Sequence, residues 1–190
     1  FKPFVYIAAL ENGFTPSSLI LDEPFVIDQG PGLGKWKPAN YSRRFHGPSP
    51  LRLGLEKSRN LMTVRLAQSI GMEAVGQFAE RFGVVRNLPR LLSMALGAGE
   101  TTLLDLTTAY AMIVNGGKRI RPTLIDRIQD RHGQTVFRHE NRPCEDCRGI
   151  EWADQDIPAI PDIRERVADP RSAYQIVSML QGVVQRGTGR

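Results

Sequence analysis

Ser58-Arg59-Asn60 sets a hydroxyl and an amide one residue apart, between apolar helical stretches, and Lys2 stands far upstream at the start of another such stretch. These are parts that an acyl-transfer site needs. A serine hydroxyl is a poor nucleophile until a base takes its proton, and a lysine does this when desolvation or a neighbouring cation favours its neutral amine. On a helix, residues three apart share a face, so a serine three positions before a lysine lies beside it. For Lys2 that position precedes Phe1. Taken singly, Lys2 suits a solvated surface, and Ser58 and Asn60 suit a turn or a cap, where their side chains bond nearby backbone.

The elements that must position these residues come from a chain of 190 residues with 41% hydrophobic content, enough for one substantial core. Lys and Arg exceed Asp and Glu by 25 to 20, but the cations are scattered in pairs such as Arg43-Arg44 and Lys118-Arg119. Long basic clusters that track a phosphate backbone are missing, which argues against nucleic-acid binding. No run approaches the roughly 18 apolar residues of a membrane span, and the start lacks a signal-peptide pattern. The abrupt beginning at Phe1-Lys2-Pro3-Phe4 and the ending at Gly187-Thr188-Gly189-Arg190 read as those of an excised piece. Cys144 and Cys147 are the two cysteines. Four zinc ligands at suitable spacing are not available, so a local disulfide or two idle thiols is the better reading.

Helical periodicity occurs in four places. Phe4, Ile7 and Ala8 mark a helix ending near Gly13. Val75, Phe78, Ala79 and Phe82 form an amphipathic stripe that stops at Gly83 in a left-handed cap. Thr102 and Asp105 resemble a capping box, followed by Leu103, Leu106, Tyr110 and Ile113 on one face until Gly116-Gly117. Asp169 and Pro170 open the last helix, with Ala173, Ile176, Val177, Leu180 and Val184 as its buried stripe. Residues 15–50, with Pro16, Pro24, Pro31, Pro38, Pro48 and Pro50, read as a long loop region whose Trp36, Tyr41 and Phe45 pack down on the body. Residues 123–139 predict a two-stranded ribbon turning at Asp130-Arg131-His132-Gly133. Residues 142–169 read as an extended connection anchored by Trp152 and Ile160. His46, His132 and His139 have no arrangement that suggests catalysis.

Phe1-Lys2-Pro3-Phe4 looks like the tail of a Ser-x-x-Lys box, and Ser58-Arg59-Asn60, after Leu55-Glu56-Lys57, resembles the Ser-x-Asn box of penicillin-binding transpeptidases and serine β-lactamases. Leu96-Gly97-Ala98-Gly99-Glu100, then Thr107-Thr108-Ala109-Tyr110-Ala111 and Asn115-Gly116-Gly117, resemble in order the segment that follows in bifunctional class A penicillin-binding proteins. Gly187-Thr188-Gly189 is similar to the stretch ahead of that family's Lys-Thr-Gly strand. The likeness covers nearly the whole chain in the family's order.

The resemblance implies an α/β (α+β) penicillin-binding transpeptidase or serine β-lactamase-like fold, here mainly helical with a small β ribbon, its central sheet largely missing and apolar surface left bare. Residues 1–190 would be a partial transpeptidase domain, without the nucleophilic serine upstream or the Lys-Thr-Gly strand downstream, and inactive as supplied. Lys2 would be the general base or proton shuttle. Ser58 would relay a proton between Lys2 and the leaving amine, and Asn60 would orient the substrate amide and hold Lys2. Trp36 and Tyr41 are candidate cleft walls on no motif. The parent would be a peptidoglycan D,D-transpeptidase acting through a serine acyl-enzyme on D-Ala-D-Ala stem peptides and trapped by β-lactams. It would carry a glycosyltransferase domain that uses a lipid-linked precursor. An N-terminal anchor would hold it on the periplasmic face of the bacterial inner membrane, where cell-wall synthesis proteins are candidate partners. No metal or organic cofactor is implied. A D,D-carboxypeptidase or β-lactamase-like hydrolase, or a non-catalytic penicillin-binding scaffold, would share the same boxes.

Overall fold

From Pro3 to Leu10 the sequence holds no charged side chain, and a helix that is apolar on every side is stable only when other elements surround it. The computed structural model describes residues 1–190 apart from 29–31, 33, 140, 141, 143, 145–150, 152, 153 and 155. In it, helix α1 (Lys2–Glu11) is the hub, with Pro3 through Leu10 all buried. Helices α2 (Leu51–Glu56), α3 (Asn60–Ile70), α4 (Met72–Arg81) and α6 (Pro170–Arg186) pack around it. Helix α5 (Leu103–Val114) reaches it through Tyr110, whose ring meets Phe4 edge-on at 6.0 Å. The Phe82 ring stands 5.8 Å from that of Phe4. The one polar group on the buried length of α1 is satisfied, since the Tyr6 hydroxyl lies 3.3 Å from Thr63 Oγ1. Burial raises the Tyr6 pKa well above its ordinary value.

Residues 15–50 are not the single long loop that their prolines predict. β1 (Leu19–Asp22) pairs antiparallel with β4 (Gly47–Pro50), and β2 (Ile27–Asp28) with β3 (Lys35–Trp36). These strands are two to four residues long, and Pro48 and Pro50 sit in a two-stranded sheet where proline is tolerated at an edge. Strands this short carry too little alternation to be read from sequence. The aromatics also differ from expectation: Tyr41 and Phe45 are exposed, and Trp36 alone packs down, near Phe25, Leu61 and Val64. The loop between β3 and β4 is anchored by the polar Asn40 instead, which is buried.

Thr102 caps α5, accepting from the Asp105 amide at 3.0 Å. The buried face of that helix is Ala109, Met112 and Ile113, with Leu106 and Tyr110 at its margin, whereas Leu103 is 82% exposed. Asp169 caps α6, accepting from the Arg171 amide at 2.8 Å, with Pro170 in the first turn. Here the buried stripe runs through Ser172, Ala173, Ile176, Met179 and Gly182, and Val184 is exposed. The rotation has a cause in Glu56, the last residue of α2. Its carboxylate is fully buried and fills the space a side chain at Gly182 would need. Arg186 grips it from the end of α6, with Nε 3.0 Å from Oε2 and Nη2 on Oε1, and Arg52 lies 3.5 Å away. A two-pronged guanidinium on a carboxylate fixes both separation and angle.

Strands β5 (Arg127–Gln129) and β6 (Thr135–Arg138) form the expected ribbon, exposed on both faces. The connection to α6 returns beside residues 118–119 through a Lys118–Arg166 bridge and ion pairs Lys118–Asp162 and Arg119–Glu165, each 2.6 Å. Ile160 is half exposed and does not anchor it. Trp152 and Cys147 lie outside the described residues, and Cys144 is disulfide-bonded. No helix among the described residues is long and apolar enough to cross a membrane.

Because Glu56 is wholly buried, Arg186→Met leaves its charge with Arg52 alone at 3.5 Å. Breaking a buried pair from one side should lower unfolding free energy by about 3 kcal/mol, read as a lower urea midpoint at unchanged slope. An unchanged midpoint would show that the clamp carries no stability.

Candidate active site

Ser58 follows α2 in a left-handed backbone conformation, φ 53°, which residues other than glycine adopt at a cost. The turn it makes separates α2 from α3, whose first residue is Asn60. Lys2, at the start of α1, reaches this turn across 56 residues of sequence. Its Nζ donates to the Ser58 carbonyl at 2.7 Å, to Ser58 Oγ at 3.0 Å and to Asn60 Oδ1 at 2.7 Å. The three residues singled out by type and order therefore meet at one nitrogen.

An ammonium has three N–H groups, and here each has an acceptor. A neutral amine has two N–H groups and a lone pair, so on losing its proton Lys2 must present the lone pair to one of the three partners. Neither the Ser58 carbonyl nor Asn60 Oδ1 can donate. Only the Ser58 hydroxyl can turn its proton around, so the geometry permits proton exchange between Lys2 and Ser58 Oγ without moving a heavy atom. The Asn60 amide is oriented for this by Nδ2, which donates to the Ala39 carbonyl at 2.8 Å and leaves Oδ1 for the lysine. Desolvation of Lys2 at the helix start brings its pKa down from 10.5 to about 8. At pH 7 about a tenth of such a group is neutral.

Residues that sequence reasoning passed over surround the turn. Asn40 Nδ2 donates to Asp22 Oδ1 at 2.7 Å and to the Arg44 carbonyl at 3.0 Å, and Asn40 Oδ1 accepts from the Leu61 amide at 3.3 Å. Arg59 Nη1 donates to Ser49 Oγ at 2.8 Å, and its Nε faces the buried Asp22 carboxylate at 3.7 Å. The sequence carries no signal for them: Leu19, Ile20 and Leu21 are all apolar, and the exposed-buried alternation that puts Asp22 on the face of the buried Ile20 emerges only in the folded strand. Beside Ser58 opens a cavity of about 730 Å³ lined in part by Tyr41, His46, Lys57, Asn60 and Thr188. Of the two aromatics expected as cleft walls, Tyr41 lines this cavity, whereas Trp36 packs near Phe25, Leu61 and Val64 instead. His46, given no role from sequence, borders the cavity. The Lys57 amine is held by the Arg186 carbonyl. Among the described residues no group of three or more His, Cys, Asp or Glu is placed to hold a metal ion.

The family model for the penicillin binding protein transpeptidase domain matches residues 1–190. Penicillin-binding protein 1A of Rickettsia bellii (strain RML369-C) is 46% identical over 191 residues, covering 98% of this chain and 24% of that protein. The chain thus spans about a quarter of the length of the curated relatives it matches. The crystal structure of penicillin-binding protein 1A from Haemophilus influenzae superposes with a TM-score of 0.79 at 35% identity, covering 100% of this chain and 30% of that one. PonA1 from Mycobacterium tuberculosis in complex with penicillin V gives 0.75 at 18% identity, covering 96% of this chain and 46% of that chain, which shows a shared fold.

Lys2 supplies a pH signature. Its folded pKa is depressed, so burying its charge costs stability below about pH 8, and that cost disappears as pH rises from about 8 towards the ordinary 10.5. Competitive acetylation of Lys2, followed by mass spectrometry across pH, should give a midpoint near 8. A midpoint at 10 or above would remove the desolvated amine from the site.

Proposed function

The chain belongs to the penicillin-binding protein transpeptidase family, and from that premise we propose that the protein containing it cross-links peptidoglycan as a serine D,D-transpeptidase. The observation that carries the reading is the convergence of Lys2 Nζ on Ser58 Oγ and Asn60 Oδ1. Residues 1–190 are, on this reading, part of the transpeptidase domain, with the nucleophilic serine two residues before Phe1. Were α1 to extend back through that position, the serine would lie beside Lys2 on one helix face.

Chemistry then follows from the three side chains. Neutral Lys2 takes the proton of the attacking serine as its oxygen bonds to the carbonyl of a D-Ala-D-Ala stem. The Lys2–Ser58 contact passes a proton to the departing amine, the peptide C–N bond breaks, and D-alanine leaves an acyl-serine ester behind. Asn60 holds Lys2 through Oδ1 and orients the substrate amide. A neighbouring stem's amine attacks the ester, giving up its proton along the same path, and serine is restored. A β-lactam enters by the same first step, but its leaving nitrogen stays tethered, so the ester persists. Tyr41 and His46 border the cavity that would receive the stem. By likeness to the relatives the whole protein would be bifunctional, with a glycosyltransferase domain that uses lipid-linked precursor. It would be anchored in the inner membrane facing the periplasm and work with other cell-wall synthesis proteins. Residues 1–190 alone, lacking that serine, would not turn over substrate.

In the intact protein, a fluorescent penicillin should label the wild type, and Lys2→Ala should abolish labelling with little change in thermal midpoint. Undiminished labelling of that variant would remove Lys2 from the mechanism. Given stem-peptide substrates, cross-linked dimers should form; hydrolysed monomers alone would make the protein a carboxypeptidase or β-lactamase-like hydrolase. A protein that binds penicillin without acylation would be a scaffold.

A further inference from the structure

We propose that Asp22 is a positioning residue for the Lys2, Ser58 and Asn60 group, acting through Asn40 on one side and Arg59 on the other; the inference rests on the transpeptidase reading above. Asp22 ends β1 and is fully buried. Its two carboxylate oxygens serve two different arms.

The first arm leads to Asn60. Oδ1 accepts from Asn40 Nδ2 at 2.7 Å, and the same amide group donates to the Arg44 carbonyl and accepts from the Leu61 amide at the start of α3. With every polar atom of its side chain engaged, Asn40 fixes the loop that carries its neighbour Ala39. The Ala39 carbonyl receives Asn60 Nδ2 at 2.8 Å, and that bond decides which end of the Asn60 amide faces the lysine. Without it the amide could turn and point an N–H at Lys2, where a cation or its N–H groups would repel it.

The second arm leads to Ser58. Oδ2 faces Arg59 Nε at 3.7 Å, outside hydrogen-bond reach but well inside the range of attraction between buried charges. Arg59 also donates to Ser49 Oγ at 2.8 Å, and its side chain is only 13% exposed. Ser49 lies on β4, opposite Ile20 of the strand that carries Asp22. Arg59 is therefore pinned to the β1–β4 pair immediately after the residue that must hold a left-handed backbone. Relaxation of Ser58 towards an ordinary conformation would have to drag Arg59 out of its pocket.

A buried carboxylate and guanidinium are expensive to desolvate, and an apolar pair of the same volume is often at least as stable. Stability alone does not call for them here. What apolar contacts cannot do is set direction: the Asn40–Asp22 bond fixes the loop that orients one amide, and charge attraction from Asp22 holds Arg59 where its bond to Ser49 restrains the backbone of Ser58.

The test uses the full-length protein with Asp22→Asn, Asn40→Ala and, as a reference of comparable destabilisation far from the turn, Phe78→Leu. The second-order rate of acylation by a fluorescent penicillin should fall from about tenfold to about a hundredfold in the first two variants and stay near wild type in Phe78→Leu. Crystal structures of the same variants should show the Lys2–Asn60 contact lengthened beyond hydrogen-bond reach. Rates that fall no further than in Phe78→Leu overturn the proposal, as do variant structures that keep the 2.7 Å and 3.0 Å contacts of Lys2. Should Asp22→Asn not fold, Asn40→Ala decides, since it removes the Asn40 bonds while the buried Asp22 carboxylate keeps Arg59 opposite it at 3.7 Å. A wild type that no penicillin labels defeats the transpeptidase reading, and the crystal structures then judge the positioning role separately.

Discussion

Everything in this molecule answers to the burial of α1. A helix without a polar face gains nothing from solvent, and it collects α2, α3, α4 and α6 around itself because each has one apolar stripe to spend on it. The same constraint places the one charged side chain at its start. Lys2 sits where the apolar run begins, too deep for full hydration and too near the surface to be sealed off, and this intermediate depth is what lowers its pKa to about 8.

Burial and hydrogen bonding pull Lys2 in opposite directions. Three acceptors around one nitrogen favour the ammonium, while desolvation favours the amine. The balance leaves both forms populated near neutrality, the condition that the proposed proton transfers set on an amine. The identity of the acceptors sets the route. Two of them can only accept, so of the three only the hydroxyl of Ser58 is able to exchange a proton with the lysine.

Much of this was legible in the sequence, for reasons that can be traced. The helices of residues 72–81, 103–114 and 170–186 carry periodic stripes, the last two with explicit caps in Thr102 and Asp169, and that of residues 2–11 is an unbroken apolar run, so their existence followed from local chemistry. Their rotation did not. Val184 fits the expected stripe of α6 but faces outwards, because the position of that helix is set by a polar clamp between Glu56 and Arg186 and by the space left at Gly182, and Leu103, at the start of α5, is exposed as well. Lys2, Ser58 and Asn60 were legible as types in a familiar order, but the left-handed backbone at Ser58 and the Asp22–Asn40–Arg59 frame were not. Those features arise from contacts between strands of two to four residues and a loop, where no periodicity exists to be read.

The contacts that make the site join residue 2 to residues 58 and 60, and residue 56 to residue 186. None is local. Loop closure over such separations precedes these bonds, so the contacts of Lys2 with the turn at Ser58 form only once the chain between them has folded. The arrangement therefore makes the Lys2 cluster a late product of assembly: a chain that has not brought residue 2 onto residues 58 and 60 has no organised nitrogen to offer.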